Sequence, residues 1–453
     1  MKLPLVPYKS SIKETMRIID KNKRLIGVVT DGDIRRGILK GMGIDDPINK
    51  IMNKNPIAIY EYWNDKKLKE YFKRKNVINK IPKGDSLKVP ILDRKKRVKN
   101  IAFLFKRNGK IEITRLKKKH IKPVNKVLVV GGAGYLGSIL IRKLLKKGYK
   151  VRVMDNLTYG DDGIKNINHK NFEFEKGDIR NLAEIVEAVK DVDAVTHLAA
   201  IVGDPACALN PKKTIEINYL ATKALVEVCK YFQINRFVFA STCSVYGATS
   251  GETELTEESK LNPVSLYARS KIECENAILE AIDENFSPTI LRMGTLCGYS
   301  PRMRFDLVVN LFAAQALMER KITIFGGDQW RPFLHIEDAA EAFIKCLESP
   351  IEKVRGQIFN IASENCKILT LGKIIKDTIG KDVEIEVKRK VEDRRNYKVS
   401  WKKIEKQLGF KPKKSIENAI SKIKKVIENG TIKNFKNPKY WNKEYLSLSE
   451  ENL

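Results

Sequence analysis

The sequence has little or none of several features that mark particular classes of protein. Its 453 residues include only four histidines, and no apolar run approaches the length of about eighteen residues that a membrane-spanning helix requires. The first residues contain no apolar segment long enough for a secretory signal peptide. We therefore expect no transmembrane span and a cytoplasmic protein.

Cysteine is present, but its spacing matches no known type of site. The seven cysteines are an odd number, none has a partner at C-x-x-C spacing, and no group of histidines accompanies them. Disulfide scaffolds and zinc sites depend on such pairings. We therefore expect reduced thiols and no metal site.

The chain is strongly basic at its two ends and nearly neutral between them. The net charge is +31, and residues 1–125 carry 34 Lys and Arg against 12 Asp and Glu, whereas residues 126–365 carry 29 against 31. Such an excess can attract nucleic acid, an anionic membrane surface or acidic metabolites. The basic runs contain few aromatic residues and no motif that reads DNA or RNA. We interpret the charge as a solvated surface and expect no nucleic-acid partner.

The sequence changes character near residues 120–125. Before this point, the spacing of apolar residues predicts a helix over 10–20 and a strand over 25–29, as in an α+β domain. We place this first domain at residues 1–122. At the other end, residues 431–453 are expected to form a polar, partly ordered tail.

Between these segments, apolar runs alternate with helical patterns. The alternation is the signature of an α/β protein with a doubly wound parallel sheet. The pattern loosens after about residue 285, so we divide this domain, 123–430, into a part mainly at 123–285 and a smaller C-terminal part mainly at 286–430. The apolar runs lie at 127–130, 151–154, 194–198, 236–240 and 288–291.

A glycine-rich turn lies between the first of these strands and the first helix. Gly131 permits a tight turn, Gly134 allows close approach of a pyrophosphate, and Gly137 lets helix and strand pack closely. Asp155 ends the next strand, where a carboxylate accepts hydrogen bonds from both hydroxyls of an adenosine ribose and repels a 2′-phosphate. The pattern predicts a bound dinucleotide, NAD rather than NADP.

Tyr267 and Lys271 are candidates for acid-base chemistry. They are four residues apart near the start of a helical stretch, so their side chains share one face. A nearby ammonium stabilises a phenolate and lowers the pKa of a tyrosine toward neutral pH. Thr242 belongs to a run of hydroxyl residues at the end of the strand over 236–240, at the edge of the sheet where doubly wound folds bind ligands.

Residues 126 to about 425 resemble the extended short-chain dehydrogenase/reductase family of NAD-dependent nucleotide-sugar epimerases and dehydratases. The resemblance implies a Rossmann-type sheet that binds NAD, a C-terminal substrate domain, and a nucleotide-diphosphate sugar as substrate. It rests on segments at 131–137, 155–157, 177–180, 197–200, 218, 242–247, 267–271 and 326–331.

The resemblance also implies roles for particular residues. Thr242 would hydrogen-bond the reacting sugar hydroxyl, Tyr267 would take its proton, and Lys271 would bind the nicotinamide ribose. Arg331 and Arg395 match arginines that bind phosphate in the family. The implied cofactor contacts are Gly131, Gly134, Tyr135, Leu136, Gly137, Asp155, Asn156, Asp178, Ile179, Leu198, Ala199, Ala200 and Lys271, and the expected substrate contacts are Ser244, Arg302, Arg304, Asn310, Arg331 and Arg395.

The residues that follow Thr242 bear on the reaction. The family's 4,6-dehydratases have Asp-Glu after the catalytic threonine, whereas Cys243 and Ser244 stand here and cannot form that acid-base pair. The interpretation we favour is therefore an epimerase that oxidises a sugar hydroxyl, at C4, to a transient keto group. The segments 300–306 and 393–397 resemble a branch that includes GDP-heptose 4-dehydrogenases, which makes a nucleotide-sugar C4 oxidoreductase the second interpretation.

Two further alternatives remain open at this point. One is a 4,6-dehydratase. The other is a non-catalytic regulatory or nucleic-acid-binding protein that retains NAD on an inactive scaffold. Thr242, Tyr267 and Lys271 favour an enzyme, because a purely binding protein has no need of a tuned phenol.

The first domain carries a second resemblance. Residues 25–36 resemble the end of a cystathionine-β-synthase-type (CBS) motif, in which Thr30 and Asp33 would contact the ribose of an adenine nucleotide. A strand expected before Leu25 is missing from the pattern, and the second copy, at 88–95 and beyond, lacks the Thr-x-x-Asp pair. We expect a degenerate CBS-like pair with a structural or dimerising role in a homodimer or higher homo-oligomer, and adenine-nucleotide sensing is the alternative.

Overall fold

The computed structural model divides the chain into two compact units, residues 1–120 and 121–453. It describes residues 5–7, 17–19, 24–29, 33, 40, 42, 47–81, 87–107, 110–115, 123–283, 286–388, 393 and 395–450. Of the two residues expected to bind an adenine nucleotide, Thr30 lies outside the described residues, and Asp33 is a partly buried residue in a helical position.

The first unit contains a small three-stranded sheet. Strand β1 (Leu5–Pro7) pairs in parallel with β2 (Arg17–Ile19), which pairs antiparallel with β3 (Leu25–Val28). The helix expected over 10–20 is wrong at Arg17–Ile19, which form strand β2. A strand therefore does precede Leu25, where the sequence pattern predicted none. Two consecutive β-branched isoleucines favour the extended conformation there.

A second sheet of the first unit has four strands that lie side by side in chain order. Leu68 and Phe72 lie one helical turn apart on the helix Asp65–Arg74 and are buried in one cluster with apolar side chains of the strands. Asn64 caps this helix by accepting a hydrogen bond from the Lys67 amide at 3.0 Å. The strands are β4 (Ile59–Tyr60), β5 (Leu87–Leu92), β6 (Val98–Arg107) and β7 (Lys110–Arg115), and short 3-10 turns lie at Ile48–Lys50 and Val77–Lys80.

The second unit contains fourteen strands within its described residues. In chain order they are β8 (Lys126–Val130), β9 (Lys150–Asp155), β10 (Phe172–Lys176), β11 (Ala194–His197), β12 (Arg236–Thr242), β13 (Glu254–Leu255), β14 (Ser287–Met293), β15 (Thr295–Cys297), β16 (Lys321–Phe325), β17 (Trp330–His335), β18 (Gln357–Ile361), β19 (Glu364–Lys367), β20 (Glu384–Lys388) and β21 (Lys398–Val399).

Seven of these strands form one parallel sheet in the order β10-β9-β8-β11-β12-β14-β18. The chain proceeds from β8 toward one edge and then returns to build the other, so the order reverses between β8 and β11. Doubly wound sheets bind ligands at the carboxyl ends of the strands beside such a reversal. The predicted fold class is therefore confirmed for this unit.

Helices cover both faces of the large sheet. Along β8, Val127 and Val129 face one apolar cluster, whereas Leu128 and Val130 face another. This alternation is that of a strand buried on both sides. The helices of the unit are Tyr135–Lys146, Leu182–Val189, Asp204–Leu209, Pro211–Ile215, Ala221–Tyr231, Leu266–Glu280, Val308–Met318, Ile336–Glu348, Ile351–Val354, Ile368–Ile379, Lys402–Leu408, Ile416–Glu428 and Asn442–Glu450, with a π turn at Glu216–Leu220 and 3-10 turns at Cys243–Tyr246 and Pro438–Tyr440.

The smaller sheets lie in the C-terminal part of the unit, in the orders β15-β17-β19, β16-β20 and β13-β21. Two features differ from the sequence interpretation. Strand β14 joins the large sheet, as the apolar run at 288–291 predicts, but β18, from the expected C-terminal part, joins it as well. Residues 442–450, expected to lie in a polar and partly ordered tail, form a helix whose Leu446 is buried.

Among the described residues, no helix combines the length and apolar character that crossing a membrane requires. The same residues contain no group of three or more His, Cys, Asp and Glu side chains placed to hold a metal ion. All seven cysteines are unpaired and buried.

Candidate active site

A cavity of about 880 Å³ lies at the carboxyl edge of the large sheet, where the strand order reverses. The ends of β8, β9, β11 and β12 contribute to it, as do the C-terminal part of the unit and the C-terminal helix Asn442–Glu450. Of the residues that the sequence analysis assigned to cofactor, catalysis or substrate in this unit, all but Asn310 line this one cavity.

The glycine turn at the end of β8 is as tight as the sequence predicts. Gly131 has φ of +82°, and a Cβ there would stand 2.5 Å from the amide nitrogen of Ala199. A Cβ on Gly137 would stand 2.5 Å from the carbonyl oxygen of Gly132. A Cβ on Gly134, by contrast, would have 3.4 Å to its nearest neighbour, so the turn is open at Gly134, where the helix Tyr135–Lys146 begins. Its exposed amides form a site for phosphate.

Asp155, at the end of β9, is fixed beside this turn. One carboxylate oxygen accepts a hydrogen bond from the Ala133 amide at 2.9 Å, and the other accepts one from the Leu157 amide at 2.8 Å. Burial raises the pKa of Asp155, while these amides and the charge of Arg302 act in the opposite direction. A carboxylate held in this way is placed to accept hydrogen bonds from the hydroxyls of a ribose whose phosphates lie on the glycine turn.

The remaining cofactor candidates form the far wall of the cavity. Asp178 is paired with Arg180 at 2.7 Å and accepts a hydrogen bond from Asn156 at 3.1 Å, and Arg180 holds the pKa of Asp178 well below its usual range. Leu198, Ala199 and Ala200 follow β11 and line the cavity. The cradle that only glycine can form, together with the fixed carboxylate, fits a dinucleotide.

Thr242, Tyr267 and Lys271 all face the cavity. Thr242 ends β12, and its hydroxyl accepts the Ser244 amide at 3.0 Å. Tyr267 and Lys271 lie one turn apart on the helix Leu266–Glu280, which Ser265 caps by accepting the Ala268 amide. The Lys271 nitrogen lies 5.9 Å from the centre of the Tyr267 ring.

The pKa of Tyr267 differs from the sequence expectation. Burial raises the pKa of the phenol above its ordinary value, and the negative charge of Asp204 raises it further, whereas the Arg304 charge and a hydrogen bond with Thr242 lower it. Lys271 is itself buried, which lowers its pKa, and it donates to the Ala240 carbonyl rather than to the phenol. Desolvation therefore outweighs the expected lowering of the tyrosine pKa by this ammonium.

Two of the predicted phosphate-binding arginines share one carboxylate. Arg395 pairs with Asp393 at 2.6 Å, and Arg331 pairs with the same carboxylate at 2.8 Å. The two guanidinium groups hold the pKa of Asp393 well below its usual range, although its burial acts in the opposite direction. Arg395 also reaches the Ser244 hydroxyl at 3.4 Å. The arrangement presents two fixed guanidinium groups close to the end of β12.

Arg302 and Arg304 also line the cavity, with different partners. Arg304 forms a two-point pair with Asp306, at 2.9 and 2.7 Å. Arg302 donates to the side chain of Asn442 at 2.8 Å and lies over the Tyr159 ring, while its Nε is buried without a hydrogen-bond partner. Burial and the charge of Arg304 lower the pKa of Arg302 to about 10.

Asn310 corrects the sequence interpretation. It was expected to contact the substrate, but it is fully buried behind the cavity wall. Its amide donates to the Tyr135 hydroxyl at 3.0 Å and to the Arg304 carbonyl at 2.9 Å, and its oxygen accepts the Gly298 amide at 2.9 Å. With these groups satisfied within the protein, Asn310 positions the wall rather than the substrate.

Two parts of the cavity were missed from the sequence. Asp204 begins a short helix after β11, and its position just beyond a strand end was a usable signal. The C-terminal helix gave no such signal, because a polar segment of this length does not indicate where it packs. Trp441 and four residues of this helix line the cavity, namely Asn442, Lys443, Glu444 and Leu446.

A parallel sheet with this glycine turn and fixed acid defines a dinucleotide-binding protein, and the tyrosine and lysine beside them indicate an oxidoreductase-type enzyme. Residues 127–362 match the NAD dependent epimerase/dehydratase family. The chain belongs to this family, and it is an NAD-dependent enzyme.

Individual relatives agree with this assignment. The chain is 32% identical over 314 residues to a putative UDP-glucose 4-epimerase of Methanocaldococcus jannaschii, a match that covers 67% of this chain and 98% of the relative. Among solved structures it resembles the UDP-glucuronic acid 4-epimerase of Bacillus cereus, with 28% identity, a TM-score of 0.59 and coverage of 67% and 99% of the two chains. The UDP-glucose 4-epimerase of Thermotoga maritima gives 25% identity, a TM-score of 0.62 and coverage of 68% and 100%.

Proposed function

We propose that this protein is a nucleotide-sugar 4-epimerase that oxidises the C4 hydroxyl of its substrate to a transient keto group and then reduces it from the other face. The observation that carries this proposal is the convergence of Thr242, Tyr267 and Lys271 on the cavity that contains the glycine turn. The three similar proteins described above are named as 4-epimerases of UDP-sugars, which supports the same reaction.

The residues of the cavity divide the work between binding and proton transfer. The glycine turn and Asp155 would bind the two ends of the adenosine diphosphate half of NAD, and Lys271, whose ammonium lies against the end of β12, would bind the nicotinamide ribose. When bound, NAD would supply the redox chemistry, in which a hydride leaves the sugar carbon and is later returned to it. Thr242 hydrogen-bonds the reacting hydroxyl, and Tyr267 takes its proton. After the keto sugar has turned its other face toward the cofactor, Tyr267 returns the proton.

Arg331 and Arg395 bind the diphosphate of the substrate in this proposal. Their guanidinium groups are aligned by Asp393, and the planar fork of arginine suits two-point binding of phosphate. Anchoring the diphosphate leaves the sugar free to turn within the cavity, which epimerisation requires.

The residues after Thr242 argue against dehydration. The Cys243 thiol is buried and donates to the Arg292 carbonyl at 3.2 Å, and Ser244 faces Tyr397 and Arg395. Burial raises the pKa of the Cys243 thiol, so it stays neutral. Neither side chain supplies the carboxyl group that elimination of water uses in the dehydratases.

The test is incubation of the purified enzyme with UDP-, GDP- and dTDP-linked hexoses. NMR identifies the product, and absorbance measures the amount of NADH formed. We expect a C4 epimer at equilibrium and no net accumulation of NADH. Stoichiometric formation of NADH with a keto product would support the C4 oxidoreductase, and a 4-keto-6-deoxy product would support the dehydratase.

For the first unit we propose a structural role as a degenerate CBS-like module that promotes self-association. The apolar core around Leu68 and Phe72 supports an independently packed module. Calorimetric titration of the full chain with AMP, ADP and ATP tests this role. Tight binding that Asp33→Ala abolishes would overturn it in favour of nucleotide sensing.

A further inference from the structure

Asp204 is a carboxylate of the cavity for which the proposed reaction has no assignment. It begins the helix Asp204–Leu209 and lines the cavity with Tyr267 and Arg395. One oxygen lies 3.6 Å from a guanidinium nitrogen of Arg395. The other oxygen is buried and has no hydrogen-bond partner.

The position of this carboxylate is fixed by the helix that carries it. Ala206 and Cys207 of this helix pack in one apolar cluster with Tyr267 and Leu446. The Cys207 amide donates to the Gly203 carbonyl at 3.0 Å, and the Thr214 hydroxyl donates to the Cys207 carbonyl at 2.9 Å. These contacts fix the backbone that carries Asp204, and the negative charge of its side chain is close enough to raise the pKa of Tyr267.

A buried carboxylate oxygen without a donor is costly unless a bound molecule supplies one. The neighbouring arginines already face carboxylates, since Arg304 pairs with Asp306 and Arg395 pairs with Asp393. The positive charges of Arg304, Arg331 and Arg395 are thus matched by Asp306, Asp393 and Asp204 before a substrate arrives. A further anion on the sugar would meet Asp204 directly, whereas a hydroxyl group would supply the missing hydrogen bond.

We propose that Asp204 is a specificity-determining residue that accepts a hydrogen bond from the C6 hydroxyl of the sugar and thereby selects neutral hexoses over hexuronic acids. The inference rests on the proposed function, because it concerns the sugar of that substrate. Two effects act in the same direction. The neutral sugar gains a charge-assisted hydrogen bond, and the uronate experiences like-charge repulsion.

The experiment compares sugars that differ only at C6, namely UDP-glucose with UDP-glucuronic acid and GDP-mannose with GDP-mannuronic acid. Epimer formation gives kcat/KM for each member of a pair. For the wild-type enzyme we expect the neutral member to be preferred by about a hundredfold or more. The variant Asp204→Asn keeps the shape but removes the charge, and we expect it to reduce this preference by at least about tenfold.

A matched control is Asp191→Asn, since Asp191 is exposed in a turn and lies outside the cavity. It should leave the ratio unchanged. Equal or better turnover of the uronic acids by the wild type, or an unaltered ratio in a folded Asp204→Asn enzyme that still binds NAD, would overturn the inference. Absence of epimerisation with every sugar of a wider panel would instead overturn the proposed function.

Discussion

The Lys271 ammonium donates a hydrogen bond of 2.8 Å to the carbonyl oxygen of Ala240. This bond fixes the lysine side chain at the carboxyl end of β12, the strand on which Thr242 also lies. The ammonium therefore faces the sheet edge and not the Tyr267 hydroxyl. In the proposed mechanism the lysine positions the cofactor, and the phenol moves the proton.

Replacing Tyr267 by phenylalanine separates these two tasks. We expect Tyr267→Phe to abolish turnover while NAD binding stays close to that of the wild type, because the dinucleotide is bound by the glycine turn, Asp155 and Lys271. Steady-state kinetics and calorimetric titration with NAD measure the two effects. Tyr231→Phe, at an exposed position, is the control. Residual activity within about tenfold of the wild type would show that another base does the chemistry.

The pH dependence of turnover follows from the environment of the phenol. Burial and the charge of Asp204 raise the pKa of Tyr267, and the base must be deprotonated to accept a proton. We therefore expect kcat to rise with pH through the neutral range. Removing a negative charge lowers the pKa of a neighbouring phenol, so Asp204→Asn should move this rise toward lower pH. A shift toward higher pH in this variant would contradict the assignment of Tyr267 as the base.

The C-terminal helix is expected to retain the cofactor. Asn442 accepts a hydrogen bond from Arg302 at 2.8 Å and donates one to the Val202 carbonyl at 3.1 Å, so it ties the helix to two walls of the cavity. We expect Asn442→Ala to increase the dissociation constant of NAD by about tenfold. Calorimetric titration with NAD measures this dissociation constant. The control is Ser447 on the same helix, whose hydroxyl donates to the Lys443 carbonyl of that helix. Ser447→Ala should leave the dissociation constant unchanged.

A buried ion pair anchors the carboxyl end of the sheet. Arg292 on β14 and Glu275 lie 2.7 Å apart, and both side chains are almost completely buried. Glu275→Gln would leave the guanidinium without its counter-charge, at a cost of about 3–5 kcal/mol in the free energy of unfolding. Denaturant unfolding checks this value. The exposed Glu273→Gln on the same helix is the control, and an equal loss in both variants would remove the ion pair as the cause.

Sequence patterns predict the part of this molecule that is governed by local rules. The glycine turn, Asp155 and the Tyr267–Lys271 spacing depend on neighbours in the chain, and the structure brings them to one cavity. The edge strand β10 was missed because its residues alternate phenylalanine with glutamate and are largely half-exposed or exposed, so it forms no apolar run. Strand β18 was missed because periodicity does not indicate which sheet a strand joins.

The remaining differences concern contacts between distant segments. The pKa of Tyr267 depends on desolvation and on Asp204, which is 63 positions away in the chain. Asn310 was assigned to the substrate by its position in the sequence, yet it bonds to Tyr135 and Gly298 within the wall. Such pairings arise from the packing of the whole unit, which no local pattern records.

The most direct test of the proposed function is the reaction of a UDP- or GDP-hexose in deuterium oxide, followed by NMR and mass spectrometry of the product. Transient oxidation at C4 returns the same hydride to the carbon from which it came. The proposal therefore predicts a C4 epimer of unchanged mass, with no solvent deuterium on carbon. A product that has lost water and carries deuterium from the solvent, or a keto-sugar formed together with an equal amount of NADH, would contradict it.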